Sequence, residues 1–485
     1  MRAQSAVVQW VGLPLTAFLC PVIICAIQRG VIYDDPYIEL RYGEHLAEGM
    51  GWSFNPGLPT NNAVTSPLYV LLIAAGKFLG ASVDVWSTCI YCAAWGLGGI
   101  VLARILFFDG RLTGGWLACG LYSIAPLLGN VRGMETSLYL LLILSAIWAF
   151  QYERWLVVGC LLGLLALARL DGVLLAGVLI AWLAVRRSRS ALTVLGPFVA
   201  ITATWAAVSW AITGSPIPST LAAKIAQRDS GWWGSQFSFL EGLTTNGVVG
   251  LEGHRDMGTG ITSILLPILA GIALLILPVF GTVVAFRRSE SALPMLAIVA
   301  AIVVLEYGVG LRMPSSYTWH YGPWTLWVVA GGAIGLEEAA RRGHRVVGTV
   351  GTALAVALSL ATIQLGPPPD RSHYREVAEW IDRDTASPHP TVAAVEIGAI
   401  GYYSHADMVD YLGLLDSRAN ATVRHGNFTW WMSTKPDYWV TTGKFIDAAT
   451  LGLPEFQREY TSAAIIGPFT IYRRSLSSSS STSPG

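Results

Sequence analysis

Residues 191–211 read ALTVLGPFVAITATWAAVSWA, an apolar run without a single charge. Wound as an α-helix, such a run is about 30 Å long, the thickness of a bilayer's hydrocarbon core. Residues 7–27, 264–286 and 346–365 are blocks of the same kind. Across the chain 53% of residues are hydrophobic and only 13% are charged. A soluble chain of 485 residues would need an unusually large core to hide that composition, whereas a bilayer supplies apolar surroundings directly. Trp and Tyr often stand at the ends of the blocks, where amphipathic rings suit the membrane interface. The pattern describes a polytopic α-helical membrane protein.

Lys and Arg number 31 and Asp and Glu 31, so no excess of positive charge points to nucleic acid. Cys20, Cys25, Cys89, Cys92, Cys119 and Cys160 all lie in apolar blocks. The C-x-x-C at Cys89 and Cys92 reads as helix packing rather than as metal or redox chemistry. The first block lacks a basic leader and a clear small-residue cleavage site, and reads as a retained helix.

Arginine placement sets the orientation, because cytoplasmic loops are enriched in Lys and Arg. Arg104 with Arg111, Arg154, Arg186 to Arg189, Arg287 with Arg288, and Arg341 to Arg345 fall on one side only if residues 68–79 do not cross. That block is short, follows Pro67 and contains Lys77, so it reads as an interfacial helix. About eleven spans are then expected, at 7–27, 87–107, 114–129, 136–150, 155–168, 170–185, 191–212, 260–285, 292–310, 321–337 and 346–365. The N-terminus is expected in the cytoplasm of a cell (inner or plasma) membrane, with the long loops 28–86 and 213–259 outside. The predicted domains are a transmembrane module, 1–366, an extracytoplasmic C-terminal domain, 367–474, and a disordered Ser-rich tail, 475–485. Pro367, Pro368 and Pro369 stop the last span. A helical pattern at 374–381 and apolar runs at 392–395, 438–441 and 464–472 predict a small α/β domain.

Under this topology the unusual polar residues gather on the outer face. Asp34 and Asp35 follow the first span. Adjacent carboxylates raise each other's pKa, and partial burial raises it further, which suits a general base or a cation site. Alternatively one of them caps a helix beginning at Pro36. Arg41 follows in the same loop. Arg132 and Glu135 stand at the mouth of the bundle, as phosphate ligand and as acceptor or metal ligand, or as an ordinary ion pair. Arg169 and Asp171 lie between two apolar stretches, where pairing that holds a helix turn is expected. Lys224, Arg228, Arg312 and His320, with Tyr321 beside it, could bind the phosphate of a lipid-linked donor; snorkelling and interface anchoring are the plainer alternatives.

The run Asp34-Asp35-Pro36-Tyr37-Ile38, with Arg41-Tyr42 and Phe54-Asn55-Pro56-Gly57, resembles the first-loop signature of C-type (GT-C) glycosyltransferases. Gly133-Met134-Glu135-Thr136, Arg169-Leu170-Asp171-Gly172, Ser215-Pro216-Ile217-Pro218, residues 317–323 and 396–403 match in order. The closest pattern is that of bacterial arabinofuranosyltransferase-like members, although the compact C-terminal domain departs from a cell-wall polymerase. The resemblance implies a multi-span hexosyl- or pentosyltransferase that takes its sugar from a polyprenyl phosphate, with Asp34 or Asp35 as catalytic base. Its partners would be membrane lipids, the donor, and a glycan, glycolipid or protein acceptor of the cell envelope. The chemistry expected is direct inverting displacement without an obligatory cofactor; alternatively Asp34, Asp35 and Glu135 hold a divalent cation (Mg, Mn or Ca). A flippase of lipid-linked sugars and a non-catalytic envelope-assembly subunit are the rival readings. A transporter would carry polar residues near the midplane of broken helices.

Overall fold

The structure, a computed structural model, describes residues 11–28, 34–58, 62–234, 237–249, 275–363, 373–443 and 445–475. The expected starts of the first and eighth spans, the end of the last, Pro367 to Pro369, and the tail beyond Ser475 lie outside these residues. The chain forms two compact units. One comprises residues 1–33, 65–210 and 234–367, and the other residues 34–64, 211–233 and 368–485. Residues 34–64 and 211–233, assigned from sequence to the transmembrane module, thus fold with the C-terminal domain.

The first unit is helical. Among the described residues, five helices are long and apolar enough to cross a membrane: Val83–Phe108, Leu112–Asn130, Ser188–Thr213, Ala292–Gly310 and Arg345–Thr362. Shorter apolar helices are Leu13–Ile27, Pro67–Phe78, Thr136–Gln151, Trp155–Ala168, Gly172–Arg186 and Leu275–Arg287. Gly322–Arg341 completes the set. Each expected span thus contains helix, the described part of the eighth beginning at Leu275, although among the described residues only five helices are long and apolar enough to cross. Pro67–Phe78, at 12 residues and about 18 Å, is too short to span, as its reading as an interfacial helix requires.

Small residues let these helices approach closely. A Cβ on Gly281 would lie 2.1 Å from the Gly331 carbonyl oxygen, and one on Gly335 would lie 2.4 Å from that of Leu277. Both contacts meet backbone, which cannot rotate away. Gly281→Ala is therefore expected to lower stability by about 1–3 kcal/mol, whereas Gly177→Ala, which meets open space, is not. Thermal unfolding of the two variants in the same detergent checks this pair.

At the far end of Gly322–Arg341, arginines from three of the sequence clusters converge. Arg111 binds Glu290 at 2.8 Å and reaches Glu337 and Glu338 at 3.3 and 3.4 Å. Arg288 and Arg342 bind Glu338, and Arg341 binds Glu337. Arg111 has no solvent exposure, so its charge is tolerable only because carboxylates surround it.

The second unit is a mixed α/β domain with strands β1 (Thr391–Ala394), β2 (Asp407–Asp410), β3 (Tyr438–Thr441), β4 (Tyr460–Ile466) and β5 (Phe469–Arg474). Their order is β2-β1-β3-β5-β4, parallel from β2 through β3 and antiparallel beyond. The single run expected at 464–472 is instead a hairpin turning at Gly467, whose φ is 53°. Strand β2 had no place in the sequence reading. The core is aromatic: Trp431 stacks on Trp439 at 5.3 Å and Phe456 on Tyr460 at 5.2 Å. Within this unit the first-loop helix Pro36–Ala47, buried from Pro36 through Gly43, packs against Ile397–Tyr403, and the helix Ser219–Asp229 packs beside Ala419–Arg424.

Candidate active site

In the second unit, β1 has a neighbour on each side, and its chain leaves through the helix Ile397–Tyr403. The carboxyl end of such a strand is a topological switch point, where open α/β sheets bind ligands. There the Asp34 carboxylate accepts hydrogen bonds from the amides of Gly398 (3.0 Å) and Ala399 (2.7 Å). It is 6% exposed. Burial, and then the nearby charges of Glu396 and Asp35, raise its pKa well above the ordinary carboxylate value, while the two amides pull the other way. A Cβ on Gly398 would lie 2.0 Å from the Asp34 carbonyl oxygen, so glycine is required for this approach. Asp35 is half-buried and directly precedes the helix Pro36–Ala47, with no side-chain cap bond of its own.

Arg41 is a tie within this unit. It donates to the carbonyls of Gly401 and Ala406 and lies over the Phe54 ring at 4.6 Å. Burial lowers its pKa to about 10. Arg228 pairs with Asp229 at 2.7 Å. Lys224 lies close enough to the buried Asp410 to favour its carboxylate, although burial still raises Asp410 to about 6.

In the first unit, a buried polar cluster surrounds Arg169. The helix Trp155–Ala168 ends there, Arg169 is extended (φ −157°, ψ 141°), and the next helix starts at Gly172. Its guanidinium donates to Glu135 at 2.8 Å, to Asp171 at 3.3 Å and to the Tyr307 hydroxyl at 3.0 Å, and it contacts His320 Nδ1. Tyr307 donates in turn to Asp171 at 2.9 Å. Tyr139 presents its ring 5.2 Å from the same guanidinium. Glu135 directly precedes the helix Thr136–Gln151, and His320 lies in the short turn Thr318–Tyr321 that leads into Gly322–Arg341.

Glu135 is therefore held by Arg169, and Arg132 donates to Thr88 at 3.2 Å. The sequence reading paired Arg169 with Asp171 alone. Tyr307, with Glu306 beside it, was missed. The signal was an ionisable residue inside the apolar run 292–310, where the helix widens to a π turn at Leu305–Gly310. Tyr321 packs instead: it stacks on Phe239 at 4.3 Å and donates to that residue's carbonyl. Arg312 is exposed, in left-handed backbone at φ 52°.

Asp34 and Asp35 belong to one unit and Glu135 to the other. Among the described residues, no three His, Cys, Asp or Glu side chains gather as a metal-binding group.

A family model described as "Domain of unknown function (DUF8728)" matches residues 361–481. No curated protein matches the sequence. Solved structures do match in fold. ArnT from Cupriavidus metallidurans is 14% identical, with a TM-score of 0.58 over 97% of this chain and 98% of that one; it has also been solved with undecaprenyl phosphate, at a TM-score of 0.51. The oligosaccharyltransferase AglB from Archaeoglobus fulgidus, solved with an inhibitory peptide and a dolichol-phosphate, is 12% identical, with a TM-score of 0.57 over 96% of this chain and 74% of its own. The arabinofuranosyltransferase AftD from Mycobacteria is 15% identical, with a TM-score of 0.55 over 97% of this chain and 40% of its own. The expected architecture is thereby met: this chain is a polytopic helical membrane protein with a small C-terminal α/β domain, and its fold is similar to those of ArnT, AglB and AftD.

Proposed function

We propose that the protein is a membrane glycosyltransferase that moves a sugar from a polyprenyl phosphate to an acceptor hydroxyl of the cell envelope. The observation that carries this reading is the buried Asp34 carboxylate, oriented by two backbone amides, in a chain with this fold. Two amides fix the direction of the carboxylate, and burial raises its pKa above the ordinary carboxylate value, which makes it a stronger base. Asp34 is the base in this proposal, and Asp35 tunes it and begins the helix that follows.

In the reaction the acceptor hydroxyl attacks the anomeric carbon and its proton passes to Asp34. The bond from that carbon to the phosphate oxygen breaks, the electron pair leaves with polyprenyl phosphate, and the configuration inverts. Phosphate needs little protonation to leave, so electrostatic stabilisation suffices. Lys224, Arg228, Arg312 and His320 are assigned to that role, with Arg132 in reserve. Glu135 orients Arg169, which in turn holds His320.

Purified protein in nanodiscs, given a panel of polyprenyl-phosphate pentoses and hexoses with a mixed envelope glycan, is expected to release polyprenyl phosphate from one donor. Absence of release, together with movement of labelled lipid across the bilayer, would replace the transferase by a flippase. The anomeric configuration of the product, read by NMR, tests inversion.

A further inference from the structure

The second unit contains a cleft of about 580 Å³ beside the edge strand β2, within the range of roughly 300–1,000 Å³ typical of small-molecule sites. Its lining includes Asn55, Leu58, Asp416, Arg418, Trp430 and Thr434. Each helps to say what would fit. Trp430 is half-buried and its indole N–H is fixed on the Tyr411 carbonyl at 3.0 Å, so the ring is held in place. Leu58 is 50% exposed. Arg418 is paired with Asp416, Nε donating to Oδ1 at 2.9 Å and to Oδ2 at 3.1 Å and Nη2 to Oδ2 at 2.7 Å. Among the described residues, that pair leaves the Arg418 Nη1 donors without a bond. The Thr434 hydroxyl donates to Trp431 and keeps lone pairs to accept.

Two classes of occupant are disfavoured. The Arg418 charge is already matched by Asp416, and the other charged lining residue is the acidic Asp410, so the cleft has no excess of positive charge to attract a phosphate. An extended peptide would add to the sheet edge, but the Asn55 side chain occupies that edge, donating to the Met408 carbonyl at 2.8 Å and accepting from its amide at 3.0 Å. The lining suits instead a neutral ligand with one apolar face and many hydroxyls. An aromatic ring covers the C–H face of such a ligand, while forked donors and carboxylate acceptors bind its hydroxyl pairs.

We infer that this cleft binds a neutral glycan segment, and, resting on the transferase reading, that the segment is part of the acceptor. The test uses the full chain in nanodiscs with three soluble neutral hexasaccharides, an arabinan, a mannan and a galactan, and separately with inorganic phosphate. Saturation-transfer NMR is expected to show at least one oligosaccharide bound, with affinity about tenfold weaker in Arg418→Ala and in Trp430→Phe. Arg418 is exposed, so its variant folds even if the Trp430 variant does not. Failure of all three oligosaccharides to bind, unchanged affinity in both variants, or binding of phosphate lost in Arg418→Ala would each overturn the inference. Polyprenyl phosphate release by the native protein is measured in the same preparation. Release without oligosaccharide binding removes the cleft assignment and leaves the transferase; binding without release keeps the cleft and removes the transferase.

Discussion

Asp34→Asn is expected to lower polyprenyl phosphate release by about 10²–10⁴-fold, the usual contribution of a positioned general base. Asn keeps the size of the side chain but cannot take a proton. Its amide group can accept from only one of the two backbone donors, Gly398 or Ala399, so a modest loss of stability should accompany the loss of activity. Asp35→Asn should retain measurable turnover. If Asp34→Asn stays fully active while Asp35→Asn is dead, the roles are reversed; if both stay fully active, neither is the base.

The same assignment fixes a pH dependence. Asp34 works only when deprotonated, and burial with the Glu396 charge raises its pKa. The rate must therefore rise with pH, with an acid limb well above the ordinary Asp value of 3.8. Glu396→Gln removes the second-largest cause of the shift and should move the limb to lower pH, leaving the plateau in place. The sign for stability is opposite. A raised folded pKa favours the protonated folded state, so the contribution is fully present below 3.8 and is lost as pH rises through the folded value. Unchanged limbs in both Glu396→Gln and Asp35→Asn would separate the titrating group from Asp34.

Much of the first unit was legible because a membrane helix announces itself locally: twenty apolar residues need no knowledge of their neighbours. The break at Arg169 was legible for the same reason, since charges interrupt the apolar run on both sides of one turn. Its partners were not. Glu135 and Tyr307 meet Arg169 across 34 and 138 residues, and nothing local encodes those distances. The second unit hides more. Asn55 meets Met408 across 353 residues, and such contacts join residues 34–64 to a domain that periodicity placed only after residue 366. Strand β2 reads Asp-Met-Val-Asp, too short and too acidic at its ends to signal a strand. The β4–β5 hairpin did carry a signal, the Gly467-Pro468 dipeptide, which a single apolar run concealed.

The Asp34 carboxylate was legible as a candidate, but not its environment. The sequence offered capping of the helix at Pro36 or catalysis as alternatives. In the structure its oxygens bind amides at the start of a different helix, Ile397–Tyr403. The motif spanning residues 396–401 supplies that helix start, which explains why glycine stands at position 398, where a side chain would strike the Asp34 carbonyl.

Arg169→Met is expected to be the most destabilising single change in the first unit, at about 3–5 kcal/mol. The reason is what it leaves behind. Glu135 and Asp171 are 3% and 2% exposed at their side chains, and without the guanidinium both carboxylates stay buried with no matching charge. Tyr307 and His320 lose a shared partner at the same time. Arg169→Lys should fall between, because one ammonium cannot serve four groups spread around a planar fork. The decisive comparison is Arg169→Met combined with Glu135→Gln and Asp171→Asn, which removes the orphaned charges along with the arginine. If charge burial dominates, the triple variant unfolds at a higher temperature than Arg169→Met alone, even though it has lost more hydrogen bonds. If instead the guanidinium matters only as a packing and hydrogen-bonding hub, the triple variant is the less stable. An unchanged unfolding temperature in Arg169→Met would remove the cluster from any structural role, leaving its arginine free for substrate.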